Sequence, residues 1–290
     1  KRGGIESDLT VTRLSEDIFL VITAGANQIR DLAWLNKNIP EDAKTTVTDV
    51  TSGYTVLSLM GPESRNLMSR LTTEDLSNQA FPFGTGRKIE IGYAKALALR
   101  MTYVGELGWE IYLPTEFAQD IFDKIIAAGG EHGLKLAGMH ALNSLRLEKA
   151  YRHWGHDITD EDTPLDAGLS FAVNFDKKGG FIGRDALLKQ KESKVLKRRL
   201  VQFALDDPQP LLYHNEPIWC GDIIVGDLTS GMYGHTIGTC LGMGYVSCEE
   251  GVSKEFLESN RFEIEVAGER YPAHPSLRAF YDPKSERVRM

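Results

Sequence analysis

Hydrophobic and polar residues alternate over residues 8–14, and this two-residue period predicts a β-strand with one apolar and one polar face. A run of β-branched and aromatic residues over 18–23 predicts a second, buried strand. Apolar residues at helical spacing then predict a helix over 27–36, with Asn27 as its N-cap. Residues 1–45 therefore form a predicted β-β-α unit, which is typical of part of a small α+β subdomain.

A second series of strands and helices is predicted for residues 46–195. Gly61-Pro62-Glu63 predicts the start of a helix, because proline is tolerated in the first helical turn, and Gly129-Gly130 predicts the end of another. The apolar pattern predicts strands over 47–50, 54–59, 88–93, 96–102 and 109–113, and helices over 61–71, 117–128 and 139–150. The last of these helices is expected to bury Met139, Leu142, Leu145 and Ala150.

The pattern changes near residue 195, where we place a domain boundary. Short β-rich segments separated by Gly, Asp, Asn and Pro fill residues 198–280, and this spacing predicts a small antiparallel barrel or sandwich. The predicted organisation has three parts, which are the remainder of a small α+β subdomain (1–45), an α+β domain (46–195) and a β-rich domain (196–290).

The composition narrows the possible partners. The 290 residues carry a formal net charge of −8. General nucleic-acid binding needs a basic face, so we expect no nucleic-acid partner. The three cysteines form no C-x-x-C pair, which indicates a reducing compartment and no zinc site. No apolar run reaches membrane-spanning length and no signal peptide is expected, so we expect no membrane partner and a cytoplasmic or, in a eukaryote, mitochondrial-matrix location. The start at Lys1-Arg2 without Met predicts a fragment of a longer polypeptide.

Three patterns of possible chemistry are weak. His153-x-x-His156-Asp157 could suggest a metal site, but Gly155 interrupts a helix there and no third ligand with a recognised spacing follows, so a structural loop is expected. The glycine-rich stretch 179–183 lacks the preceding strand and the later acidic residue of a dinucleotide-binding loop. No G-x-S-x-G elbow is present, so nothing indicates an acyl-transfer triad.

Two polar stretches are better candidates for a ligand site. After the Gly3-Gly4 turn, Asp8 and Thr10 share one face of a strand and could hold a polar ligand, although a hairpin with a solvent-exposed face has the same pattern. Tyr103, beside a glycine turn, offers an aromatic ring and a hydroxyl. Glu110, on the returning strand, offers two acceptor oxygens for a ligand edge with adjacent N–H donors, such as an aminopyrimidinone. The alternative is an exposed or salt-bridged Glu110 in an ordinary hairpin.

Eight motifs in one order resemble those of the folate-binding aminomethyltransferase family, which comprises the T-protein of the glycine cleavage system and its relatives. The resemblance covers essentially the whole chain, without the family's N-terminal portion. The motifs are Gly3-Gly4-Ile5-x-x-Asp8-Leu9-Thr10-Val11, Gly61-Pro62-Glu63, Thr102-x-x-Gly105-Glu106-x-Gly108-Trp109-Glu110, Arg146-Leu147-Glu148-Lys149, Gly155-x-Asp157, Thr163-Pro164-Leu165-x-Ala167-Gly168-Leu169, Phe181-Ile182-Gly183 and Thr229-Ser230-Gly231.

Within that family, residues 151–156 and 279–283 look most like the C-terminal half of sarcosine and dimethylglycine dehydrogenases. The resemblance implies an aminomethyltransferase-like α+β fold with a C-terminal antiparallel β-barrel. It also implies transfer of a one-carbon unit, from an N-methyl amine oxidised at FAD, to tetrahydrofolate, giving 5,10-methylenetetrahydrofolate. No FAD-binding fingerprint occurs in this chain, so FAD and the oxidation are expected in another half of the enzyme, on the same or a separate polypeptide, and that half is the expected partner.

Matched positions imply roles for four residues. Asp8 matches the family's aspartate that positions folate and relays a proton, and Thr10 matches a hydroxyl position of the dehydrogenase branch. Tyr103 matches the aromatic residue that lines the folate pocket, and Glu110 matches the carboxylate that binds the amino and ring N–H groups of the pterin.

Two departures from the T-protein pattern help to compare the alternative functions of this chain. Thr23 stands where T-proteins have an asparagine, and Leu142 stands where they have an arginine. Both positions serve the lipoyl-linked or folate substrate in T-proteins, so the departures argue against the second hypothesis, a stand-alone aminomethyltransferase acting on a lipoyl carrier. A third is a non-catalytic regulatory domain of the same fold, against which the retained Asp8 and Glu110 argue.

Overall fold

The computed structural model describes residues 2–290. The chain forms two compact units. The sheet unit comprises Leu9–Leu142 and Lys284–Met290, and the barrel unit comprises residues 2–8 and Asn143–Pro283. The predicted domain boundaries near residues 45 and 195 stay predictions.

The sheet unit contains a two-stranded hairpin and a four-stranded antiparallel sheet. In the hairpin, Leu9 pairs with Thr23 and Val11 with Val21. The four-stranded sheet has the order β3-β6-β5-β4. The elements are β1 (Leu9–Arg13), β2 (Phe19–Thr23), α1 (Gln28–Asn38), β3 (Tyr54–Met60), α2 (Ser64–Met68), β4 (Gly86–Ile91), β5 (Ala94–Leu99), β6 (Gly108–Pro114) and α3 (Ala118–Gly129).

The four-stranded sheet has one face in a hydrophobic core, because side chains alternate between the two faces of a strand. Trp109, Ile111 and Leu113 of β6 are fully buried in the core, which α2 and α3 also enter. Glu110 and Tyr112 alternate with them and therefore lie on the opposite face. That second face carries the polar groups that concern function.

The barrel unit is built around a closed antiparallel barrel with the order β10-β7-β12-β11-β8-β9. Alternate residues of these strands, including Phe203, Ile218, Leu228 and Phe262, fill its interior. The elements are the C-terminal part of α4 (Met139–Glu148), α5 (Arg184–Glu192), β7 (Arg198–Leu205), β8 (Pro217–Cys220), β9 (Ile223–Gly234), β10 (Thr239–Ser247), α6 (Lys254–Ser259), β11 (Phe262–Val266) and β12 (Glu269–Ser276).

The predicted α+β class with a C-terminal barrel is confirmed, whereas the sandwich alternative is wrong. No helix in residues 2–290 is long and apolar enough to cross a membrane.

Three local predictions are wrong. Asn27 precedes α1 but its side chain does not cap the helix, because Asn27 ends a 3₁₀ turn with φ −102° and ψ 1° instead of the extended conformation of a cap. Residues 47–50 form no strand, since the Asp49 side chain accepts a hydrogen bond from the Thr51 amide at 2.9 Å and favours a turn. Met139, at the first position of α4, is 69% exposed.

Candidate functional site

Asp8 follows a segment whose path requires glycine. Gly3 has φ +87°, and a Cβ on Gly4 would lie 1.9 Å from the main-chain oxygen of Asp160. The Ile5 amide donates to the oxygen of Asp162 at 2.9 Å, which fixes the segment within the barrel unit. Asp8 is exposed at its surface, but the protein atoms around it displace enough solvent to raise the pKa of its carboxyl above the ordinary value. A raised pKa makes the Asp8 carboxylate a stronger base than an ordinary aspartate.

Thr10 lines a cavity of about 290 Å³ in the sheet unit. Three chain segments form the cavity, which are residues 10–13 of β1, residues 84–86 and residues 99–101. Gly86 allows close packing at this point, because a Cβ there would lie 2.5 Å from Cδ2 of Leu99 and 3.4 Å from Cγ2 of Thr12. The volume is at the lower end of the range of ordinary ligand pockets.

Arg100 lines the same cavity and was missed in the sequence. Its side chain is buried, lies with its guanidinium 5.9 Å from the Trp109 ring, and donates from Nη1 to the Phe81 oxygen at 2.6 Å. Burial, and then the charge of Arg65, lower the pKa of Arg100 from its ordinary value. A single arginine at the end of the apolar run 96–99 was the available signal.

Tyr103 lies in the folate-loop candidate, which we define as residues 100–107 between β5 and β6. The Tyr103 side chain is half-buried. It stands two residues beyond Met101, the last residue of the cavity lining in this loop. Tyr103 itself is not part of that lining.

Glu110 lies on the outer face of β6, opposite Leu99 of β5 and Ser58 of β3. Its Oε2 accepts a hydrogen bond from the Tyr112 hydroxyl at 2.5 Å. Burial, together with this bond and the charge of Glu110, raises the pKa of the Tyr112 phenol, so the hydroxyl stays protonated and donates throughout the physiological range. Tyr112 was also missed, although its position two residues after Glu110 on one strand was a usable signal.

The hydrogen bond from Tyr112 gives Glu110 a defined orientation. Among the residues described, Tyr112 alone donates to this carboxylate, and a carboxylate has about four acceptor positions. Glu110 can therefore accept further N–H donors from a ligand. Thr10, Tyr103 and Glu110 all belong to the sheet unit. Leu99 of β5 lines the cavity and is also the residue paired with Glu110 on the neighbouring strand β6.

The His153–His156–Asp157 motif has a structural use in the barrel unit. Asp157 is fully buried and accepts hydrogen bonds from Arg146 Nη1 at 2.5 Å and from Thr229 Oγ1 at 2.6 Å. It also accepts one from the main-chain amide of His153, in the same loop, at 2.9 Å. The rings of His153 and His156 lie 4.6 Å apart. No group of three or more potential ligands within residues 2–290 could hold a metal ion.

The two departures from the T-protein pattern lie in ordinary structural surroundings. The Thr23 hydroxyl donates to the buried carboxylate of Asp31, which also pairs with Arg30 Nη1 at 3.0 Å. Leu142 is half-buried in α4. Neither side chain supplies the amide or guanidinium that T-proteins have at these positions.

Comparison with known proteins gives relatives that match nearly the whole chain, among them the following three. The chain is 44% identical over 288 residues to 4-methylaminobutanoate oxidase (formaldehyde-forming) from Paenarthrobacter nicotinovorans, covering 99% of this chain and 34% of that protein. It is 35% identical to the mitochondrial pyruvate dehydrogenase phosphatase regulatory subunit of Mus musculus (95% and 33%) and 36% identical to mitochondrial dimethylglycine dehydrogenase of Homo sapiens (94% and 31%). The chain thus spans about a third of the length of these curated relatives.

A solved structure and two family models agree with this result. The crystal structure of glycine cleavage system aminomethyltransferase T from Bartonella henselae matches with a TM-score of 0.83 at 27% identity, covering 97% of this chain and 74% of that one. The model of the GCVT N-terminal domain matches residues 1–177, and that of the glycine cleavage T-protein C-terminal barrel domain matches residues 198–282. The chain therefore belongs to the aminomethyltransferase family of the glycine cleavage T-protein.

Proposed function

We propose that this chain is the folate-binding, one-carbon-transferring half of an N-methyl amine dehydrogenase or oxidase related to sarcosine and dimethylglycine dehydrogenases. The observation that carries the proposal is the Glu110 carboxylate, which Tyr112 orients on the outer face of the sheet while leaving acceptor capacity for a ligand. The similarity to an N-methyl amine oxidase along nearly the whole chain supports the same assignment.

The proposed mechanism gives each candidate residue one task. Glu110 accepts hydrogen bonds from the amino and ring N–H groups of a pterin, a geometry suited to a carboxylate. Thr10 supplies a hydroxyl at the cavity. Tyr103, in the loop that continues beyond the cavity lining, supplies an aromatic ring for contact with the pterin. Tetrahydrofolate, when bound, supplies the nucleophilic nitrogens that take up the one-carbon unit. Asp8 accepts a proton displaced from a folate N–H group and passes it to the leaving group, which suits its raised pKa. The leaving group is water when formaldehyde is the one-carbon donor and the demethylated amine when the iminium ion is the donor.

FAD is assigned to a part of the enzyme outside this chain. The amine is oxidised there, and the resulting iminium ion or formaldehyde is the one-carbon donor for the folate half. We propose that the flavin-containing half, on the same polypeptide or a separate one, is the partner of this chain, and that the enzyme works in the cytoplasm or in the mitochondrial matrix.

Calorimetric titration with tetrahydrofolate under anaerobic conditions tests the assignment. Glu110→Gln removes a charged acceptor, and we expect affinity to fall by about 1.5–3 kcal/mol, roughly ten- to a hundredfold. Glu90→Gln is the matched control, because Glu90 is an exposed carboxylate on β4 of the same sheet. Failure of the unmodified chain to bind tetrahydrofolate, or equal affinities for all three proteins, would contradict the proposal.

Asp8→Asn separates binding from transfer. We expect this variant to bind tetrahydrofolate while forming 5,10-methylenetetrahydrofolate from formaldehyde more slowly than the unmodified chain does, because the amide cannot accept the proton. The uncatalysed rate in buffer is subtracted, and Asp160→Asn, at an exposed carboxylate, is the control. Equal transfer rates for Asp8→Asn and the unmodified chain would remove Asp8 from the mechanism.

A second candidate function is regulation without chemistry. It is favoured by the 35% identity to a phosphatase regulatory subunit over 95% of this chain. Folate binding without any acceleration of transfer would support this candidate. A stand-alone aminomethyltransferase would instead release ammonia from an aminomethyl-lipoyl carrier, for which Thr23 and Leu142 are unfavourable.

A further inference from the structure

The tail segment, Lys284–Met290, belongs to the sheet unit although the sequence just before it belongs to the barrel unit. Its residues are mostly exposed and charged, but Val288 is 2% exposed. Val288 lies in a 3₁₀ turn formed by Arg287–Arg289. A buried valine in a short charged segment indicates a specific docking contact, because burial of its side chain is the main apolar gain available there.

One contact of the tail segment is at the start of the folate-loop candidate. Arg100 Nη2 donates to the main-chain oxygen of Met290 at 2.9 Å, and Arg65 donates to the same oxygen. The other arm of the Arg100 guanidinium donates to Phe81. Arg100 therefore joins the tail segment to the end of β5 and to the cavity that Thr10 lines.

A second contact is near the end of the same loop. Arg287 Nε lies 3.7 Å from Oε2 of Glu106, whose side chain is 15% exposed. The next residue, Leu107, is fixed because its main-chain oxygen accepts from the Gly61 amide at 2.7 Å and from Ser64 Oγ at 3.0 Å. Tyr103 lies between the two contacts. A second cavity, of about 350 Å³, is lined by Arg100 and by Arg289 of the tail segment.

We propose that the tail segment is a positioning element for the loop that carries Tyr103, with Val288 as its anchor and Arg100, Glu106 and Arg287 as its links to the loop. A loop fixed near both ends loses less conformational entropy when a ligand binds, so its binding geometry is preorganised. The tail segment then sets ligand affinity without touching the ligand. The ligand's identity as a folate rests on the function proposed above.

Val288→Asp is the test, because a charge at a buried position should release the tail segment. Lys284→Asp is the matched control, since it places the same residue at an exposed position of the same segment. Hydrogen–deuterium exchange should show about tenfold faster exchange at the amides of residues 100–107 in Val288→Asp only. Calorimetry should show about fivefold or greater loss of tetrahydrofolate affinity in the same variant.

Arg287→Glu is a second test that leaves the buried anchor in place, and Arg287→Lys is its conservative counterpart. We expect faster loop exchange and weaker binding for the glutamate variant and rescue of both by lysine. Unchanged exchange in Val288→Asp and Arg287→Glu would overturn the inference, as would faster exchange with undiminished affinity. If the unmodified chain does not bind tetrahydrofolate, the proposed function fails instead, while the exchange experiment still decides whether the tail segment holds the loop.

Discussion

Two carboxylates, one in each unit, have opposite surroundings. Asp157 in the barrel unit is 0% exposed and accepts three hydrogen bonds from protein groups through its side chain. Glu110 in the sheet unit is half-buried and, within residues 2–290, accepts a single one, from Tyr112. Both residues are acidic groups within the ordered motifs, and their hydrogen-bond partners in the structure show how their surroundings differ.

The difference shows how satisfaction of hydrogen bonds separates a structural carboxylate from one that can bind a ligand. Protein groups occupy three of the about four acceptor positions of the Asp157 carboxylate. Its partner Arg146 is also buried, so the pair links α4, the following loop and the barrel strand β9. Glu110 keeps acceptor capacity on a surface with solvent access. An unsatisfied acceptor is costly when buried but is available for recognition when exposed.

The largest predicted effect is on the free energy of unfolding and tests the structural role of Asp157. Asp157→Ala leaves the buried Arg146 guanidinium without its carboxylate, and we expect the free energy of unfolding to fall by about 3–5 kcal/mol. Urea unfolding measures this change. Asp160→Ala, at an exposed aspartate in the same loop region, should change stability by less than about 0.5 kcal/mol. A loss for Asp157→Ala as small as that of the control would show that the pair is not a structural link.

An intermediate effect is expected on tetrahydrofolate affinity, and it tests how Tyr112 orients Glu110. Tyr112→Phe removes the hydroxyl that orients Glu110, and we expect tetrahydrofolate affinity to weaken by about 1 kcal/mol, roughly fivefold. Tyr93→Phe is the control, because Tyr93 is 92% exposed. Calorimetry gives the affinities. If Tyr112→Phe binds as tightly as the unmodified chain, then the hydrogen bond does not prepare Glu110 for a ligand.

The smallest effect concerns Asp8 and the pH dependence of stability. Because the folded state raises the pKa of Asp8, it binds the proton more tightly than the unfolded state does, and this contribution to stability declines as pH rises from the unfolded pKa through the raised folded pKa. Asparagine has no carboxyl group to titrate, so Asp8→Asn abolishes this loss of stability with rising pH. Solvent exposure limits its size, so we expect the variant's Tm at pH 7 to be higher by only about 1–2 °C, and equal to that of the unmodified chain at pH 3.

A lower Tm for Asp8→Asn at pH 7 would mean that the Asp8 carboxylate stabilises the fold. Such a result would indicate that Asp8, like Asp157, has a structural role. The paired measurements at pH 7 and pH 3 on one variant make this distinction independent of any ligand.

The sequence by itself determined the local part of this structure. Alternation along 109–113 was sufficient to place Glu110 and Tyr112 on the face opposite Trp109, because a strand has a fixed two-residue period. The β-rich pattern after residue 195 was sufficient to predict the antiparallel strands, although only strand pairing showed that they close into a barrel. Met139 fitted a helical period but lies at the exposed start of α4.

Only the tertiary structure decided the long-range contacts. Arg100 and Met290 are 190 residues apart, and Asp157 and Thr229 are 72 residues apart, yet each pair is joined by a hydrogen bond. Sequence periodicity reports which residues share a face of one element, whereas these contacts depend on how separate elements pack. For that reason the sequence indicated Glu110 as a candidate ligand-binding residue, but the buried role of Asp157 and the docking of the tail segment required the fold.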